Sequence, residues 1–202
     1  MMSTCPLPVY ERGWANGASV FALSDGTWAL PDVVFRTLAL VGPARVDVCT
    51  FALSLTTVNE CKTALVLKRA LGFRFIVHSR MVRARQGRGW ASCLRRIGPE
   101  NFRISDAHAK FVIVRAPGWS VAITTSSNMN PGTSVEHFTW SEGATPALEI
   151  MADYFDETFA TVPAPKMPTV ERRVGEKIKA RPVTTIDDDF MFDFDSLIGD
   201  DL

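Results

Sequence analysis

Two short apolar runs rich in β-branched residues, 110–114 and 121–125, stand on either side of Pro117-Gly118. They commit this part of the chain to neighbouring β-strands joined by a turn. Strands joined this way run antiparallel, so the start of the first and the end of the second meet at one end of a sheet. The polar residues of the region are gathered at those two places: His108 and Lys110 at the start, Ser126 and Asn128 just past the end. Side chains two apart on a strand share a face. His108 and Lys110 are therefore expected on one face, with Ala109, Phe111 and Ile113 on the other. The segment 134–140 reads as a third strand on which Glu136 and His137 point opposite ways, so only one of them can enter the same site.

These residue types can cleave a phosphodiester without a metal. An imidazole serves as nucleophile, an ammonium, a hydroxyl and a carboxamide stabilise charge on the phosphate oxygens, and a carboxylate orients the imidazole. A lone histidine at the start of an apolar strand is ordinarily a structural residue. The ordered series His108, Lys110, Ser126, Asn128 and Glu136 is what points to chemistry. His78 ends another apolar run and reads as structural or at a rim, and His137 as lying on an outer face.

The remainder of the chain alternates helices with strands, the pattern of an α/β sheet covered by helices. Pro31 suits a first helical turn, and Val34, Leu38 and Val41 mark an apolar face that ends at Gly42. The segment 45–51 reads as a strand. A second helix is expected to open with a Thr57 to Glu60 capping box and to stop at Gly72, followed by a strand over 73–78. A closing helix over about 147–160 places Leu148, Met151, Tyr154, Phe155 and Phe159 on one stripe.

With H-x-K at 108–110, Thr125-Ser126-Ser127-Asn128 and Glu136 in that order, the chain resembles the phospholipase D superfamily, and within it the small bacterial nucleases that carry one motif per chain. The likeness spans about Trp28 to Phe159. It implies a phospholipase D-like mixed β-sheet flanked by helices and a metal-independent phosphodiesterase, most plainly an endonuclease, with no cofactor. It also implies a homodimer, because the chain has a single H-x-K. His108 of one chain would attack phosphorus to form a phosphohistidine, while the partner subunit's His108 protonates the leaving oxygen. Lys110, Ser126 and Asn128 would hold the non-bridging oxygens, and Glu136 would bond the imidazole. The sequence departs from the family at two places: Arg115 stands where the family has Asp, five residues after the lysine, and Thr125 where it has Gly.

A net charge of zero conceals segregation. Thirteen Lys or Arg fall between Lys62 and Arg115 against only Glu100 and Asp106. Arg80, Arg83, Arg85 and Arg88 are expected in one Gly-containing loop, with Arg95 and Arg96 on the short helix after it. Such a cluster is often only a solvated face, but beside a phosphodiester-cleaving motif it fits a rim for nucleic acid, DNA ahead of RNA. Trp90 could stack on a base, but the favoured reading is the anchor of that helix. The last sixteen residues hold seven Asp and no base. Acids interleaved with Phe190, Phe192, Phe194 and Leu197 suit a flexible acidic tail that docks a partner protein or lies in the basic cleft as a restraint.

The expected organisation is an extension over 1–27, the phospholipase D-like domain over 28–162, a Pro-containing basic linker over 163–186 and the tail over 187–202. At 47% hydrophobic residues the chain can bury one good core. It has no apolar run of the roughly 20 residues that span a bilayer and no basic-then-apolar leader at its start. A soluble, cytoplasmic protein without membrane contact is expected, with Cys49 and Cys61 reduced and buried and no metal site. The rival reading is a catalytically silent nucleic-acid-binding or adaptor protein on the same fold, using the tail to dock its partner.

Overall fold

The computed structural model describes residues 15–84 and 88–167. Cys5, Arg85, most of the basic linker and the acidic tail lie outside the described residues. Seven strands form one mixed sheet in the order β1-β7-β6-β5-β2-β3-β4. They are β1 (Ser19–Leu23), β2 (Ala44–Thr50), β3 (Ala70–His78), β4 (Phe102–Ser105), β5 (Phe111–Ala116), β6 (Trp119–Thr125) and β7 (His137–Glu142). β2, β3 and β4 run parallel, and β5 turns the direction by pairing antiparallel with β2 and β6. β1 closes one edge against β7, so residues 19–23, within the stretch expected as an extension, belong to the sheet.

Helices α1 (Leu30–Val41), α2 (Leu55–Val66), α3 (Ser79–Ala84), α4 (Arg88–Ile97) and α5 (Pro146–Thr161) complete the described fold. Period-two alternation divides the sheet residues between two cores. Val46 and Val48, Phe73, Phe75 and Val77, and Val112 and Val114 face one way and bury with α1, α2 and α4. Cys49, Ile76, Phe111 and Ile113 face the other way and bury with Phe155 of α5. A central strand buried on both faces needs an apolar run, and β5 has one. Trp90 is buried against Phe102, ring centroids 5.2 Å apart, and anchors α4 as expected.

Several boundaries differ from the sequence expectation. Ser54 caps α2 by accepting the Thr57 amide at 3.0 Å, and its hydroxyl pairs with that of Thr57 at 2.8 Å. Thr57 is thus three residues inside the helix, where the pattern had it opening a capping box with Glu60. The helix stops at Val66, and the chain turns through Lys68 at φ 54°. Gly72, expected as the stop, lies inside β3. Arg80 and Arg83 are on α3, not in a loop. His108 and Lys110 precede β5 in irregular backbone, so strand alternation does not account for where their side chains point.

The α5 face carries a buried ion cluster. Asp47 is fully buried on β2, and Arg74 on the adjacent β3 holds it with two hydrogen bonds of 2.7 and 2.8 Å. Arg115 on the other side brings its Nε to 3.0 Å from Asp47 Oδ2, off the hydrogen-bond direction, and is an ion-pair partner only. Arg74 and Arg115 both reach Asp156 of α5, at 2.7 and 2.9 Å. Burial pushes the Asp156 carboxyl up, but the hydrogen bonds from Arg74 and Arg115 outweigh it and leave the group below its ordinary value. The Arg74 guanidinium also lies over Phe155 and Phe159, at 5.0 and 4.8 Å from their centroids. Arg115 therefore works at the end of β5 remote from His108, tying α5 to the sheet.

Candidate active site

The site stands at the end of the sheet where β2, β3 and β6 finish and where β5 and β7 begin. At the end of β6 the Thr125 amide donates to Lys110 O at 3.2 Å, which joins the His108-Lys110 segment to the residues after β6. Thr125, where the resemblance calls for glycine, is buried, and its hydroxyl accepts the Ser127 amide at 2.9 Å. That local turn bends the chain so that Ser126 faces β7. Ser127 is buried too; its hydroxyl accepts the Leu30 amide at 3.4 Å and ties the turn to the start of α1.

Ser126 donates its hydroxyl to the Glu136 carboxylate and accepts the His137 amide at 3.1 Å. Glu136 is in turn held through its backbone by Ser24. His137 is exposed, with its ring stacked on Phe21, so of the two neighbours Glu136 is the one that turns inward. Among the described residues no hydrogen bond joins Glu136 to His108: the carboxylate expected to orient the imidazole orients the serine. Asn128 is fixed differently. Its Oδ1 accepts the Ala52 amide at 3.2 Å and the Thr50 hydroxyl at 3.5 Å, which leaves its amide NH2 as the donor for a ligand.

The end of β2 also supplies Phe51, whose ring lies 5.0 Å from that of His108 and 4.7 Å from that of His78. The two imidazoles stand edge to face with centroids 6.2 Å apart. His78, expected as structural or at a rim, is thus the immediate neighbour of His108. It was missed because nothing near it in sequence carries a motif. The available signal was topological: residues ending a parallel strand beside β2 reach the same end of the sheet. The Nδ1 of His78 accepts the Arg80 amide at 3.0 Å. Beside it Ser79 donates to Asp106 and accepts from Arg83 Nη2 at 2.8 Å.

Burial holds the His78 imidazole below its ordinary value of 6.5; Asp106 opposes this, while Arg80, His108 and Arg83 add to it. Below about pH 6.5 the unfolded chain then binds the proton more readily than the folded one. Stability is full at neutral pH and is lost as pH falls from there through the folded value. Thermal melting followed across this range is expected to show the decline in the wild type and a shallower one in His78→Gln; equal slopes would remove His78 as its source.

Arg80 and Arg83, both exposed, border this cluster. Among the described residues Arg95 and Arg96 bond to Ser92 of their own helix, at 3.1 and 3.4 Å, and no described contact links them to His108. Arg88 begins α4, and its side chain is not among those described.

No protein-family model matches the chain, and no curated protein does. Solved structures do match. The phospholipase D family member Nuc from Salmonella typhimurium aligns over 75% of this chain and 99% of its own, with TM-score 0.54 and 12% identity. The chain has the phospholipase D fold. Polyphosphate kinase from Porphyromonas gingivalis shares it at TM-score 0.53 and 13% identity, over 82% of this chain but only 30% of the kinase. No helix among the described residues of this phospholipase D-like domain is long and apolar enough to cross a membrane.

The Ser126 to Glu136 contact gives an expected result of its own. If the carboxylate acts by holding the serine, Ser126→Ala and Glu136→Gln each lower activity by about 10²-fold or more. Made together they cost no more than the worse single change, because both remove one interacting unit. A double mutant whose losses multiply would show that Glu136 acts elsewhere, with the His108 ring the first candidate. The readout is kcat in a double-mutant cycle.

Proposed function

We propose that the protein is a metal-independent phosphodiesterase acting on nucleic acid, with DNA ahead of RNA, through a phosphohistidine at His108. The observation that supports the reading is the backbone bond from Thr125 to Lys110, which joins the segment of the exposed His108 to the turn carrying Ser126 and Asn128, with Arg80 and Arg83 of α3 beside His78. An attacking His108 nitrogen forms the bond to phosphorus as the bond to the leaving oxygen breaks. Lys110, Ser126 and the Asn128 amide stabilise the negative charge that builds on the non-bridging oxygens. Water then attacks the phosphohistidine, passing its proton to the imidazole that had protonated the leaving oxygen, and the bond from phosphorus to the His108 nitrogen breaks.

The leaving oxygen needs a proton, and a second copy of the chain supplies it through the partner subunit's His108 in this reading, so the working form is a homodimer. Arg80 and Arg83 fit the nucleic-acid rim. Arg85, Arg88, Arg95 and Arg96 remain part of that proposal on charge alone.

Cleavage of labelled single- and double-stranded DNA and RNA in excess EDTA tests the reading. Chelator-resistant cleavage that disappears on changing His108 supports it. Salt-sensitive binding without turnover, by the full chain and by a form lacking residues 183–202, would instead support the silent binding protein.

A further inference from the structure

We infer that His78, with Arg80 and Arg83, forms a subsite for the phosphate next to the one attacked at His108, so that the substrate is a nucleic-acid strand in preference to an isolated phosphodiester. This rests on the phosphodiesterase reading above and deepens it.

The first argument is the tautomer. A neutral imidazole carries one proton, and a nitrogen that accepts an amide N–H is the unprotonated one. His78 Nδ1 accepts from Arg80 at 3.0 Å, so the ring proton sits on Nε2. The ring offers a ligand a hydrogen-bond donor and no base. Burial disfavours its charged form and holds the ring below its ordinary value. A neutral imidazole of this kind is a poor proton source for a leaving group but a well-fixed donor to an anionic oxygen.

The second argument is spacing and surroundings. Consecutive phosphates of one strand are separated by about 3.4 Å along a helix axis, and by more when the strand is extended. Imidazoles whose centres lie 6.2 Å apart can therefore each face one phosphate of the same strand. Phe51 packs against both rings and fixes that separation. Arg80 and Arg83 bring positive charge to the His78 side of the site. The carboxylate there, Asp106, is occupied by the Ser79 hydroxyl, which in turn holds the Arg83 guanidinium in place. An isolated phosphodiester offers a single anionic group and leaves this second set of donors unused.

The test compares a single-stranded oligonucleotide with bis(p-nitrophenyl) phosphate as substrates of the full chain in EDTA. In His78→Gln the ratio of kcat/KM for the oligonucleotide to that for the small diester is expected to fall at least about tenfold, mainly through KM. Arg80→Gln, a change at an exposed position that the fold tolerates, is expected to lower the same ratio. Equal proportional loss on both substrates, or loss on neither, overturns the inference. Should the wild type cleave neither substrate, the phosphodiesterase reading itself has failed, and oligonucleotide affinity decides the subsite: at least tenfold weaker binding in both variants supports it, and unchanged binding overturns it.

Discussion

His108→Ala is expected to lower chelator-resistant cleavage by more than about 10³-fold, because removing a covalent nucleophile eliminates the route and not merely one contribution to it. The ring is exposed and makes its described contacts to Phe51 and His78, so the melting temperature should stay close to that of the wild type. The intermediate gives a second readout. A phosphohistidine is labile to acid and stable to base, and a labelled substrate quenched in base should leave label on the wild-type chain and none on the variant. A variant that keeps activity within tenfold of the wild type would rule out His108 as nucleophile. In that case the exposed imidazole belongs to binding, and another group carries the nucleophilic step.

Asp47→Ala is expected to lower the free energy of unfolding by about 3–5 kcal/mol, the cost of leaving buried charges without their partner. Asp47 is fully covered and compensates Arg74 and Arg115 at once. Its removal leaves Asp156 alone against two guanidiniums, one of them inserted over the rings that seat α5. Arg45 offers the contrast within the same cluster. Its Nε is 3.7 Å from Asp47 and its side chain is 46% exposed, so Arg45→Ala should cost less than about 1 kcal/mol. Urea unfolding of the two variants reads the difference. Comparable losses would mean that Arg45 and solvent, and not the Arg74 and Arg115 arms, compensate Asp47.

These two expectations concern different parts of the sheet, its His108 end and the middle of β2, and were not equally legible in the sequence. The ordered series from His108 to Glu136 could be read directly, because the polar residues flank apolar runs whose two-residue period and connecting turn are local properties. The closing helix was legible for the same reason, through its apolar stripe, of which Leu148, Met151, Phe155 and Phe159 pack on the sheet while Tyr154 stays exposed. The helix cap was not: Ser54 and Thr57 are both good capping residues, and the choice depends on where the chain leaves β2.

Arg115 and His78 mark the limit more sharply. Aligned by motif, Arg115 looked like a substitution inside the site. The pairing of β2 with β5 puts it opposite Arg45 and beside Asp47, sixty-eight positions earlier in the chain. His78 looked like the end of an ordinary strand. The parallel pairing of β2 with β3 carries it past Phe51 to His108. The sequence by itself determined the α/β class and the apolar faces and named the candidate residues for phosphoryl chemistry, because periodicity and residue chemistry are short-range. The tertiary structure alone decided which of those residues meet, since strand order and register are set by burial summed over the whole sheet, and no local segment contains that information.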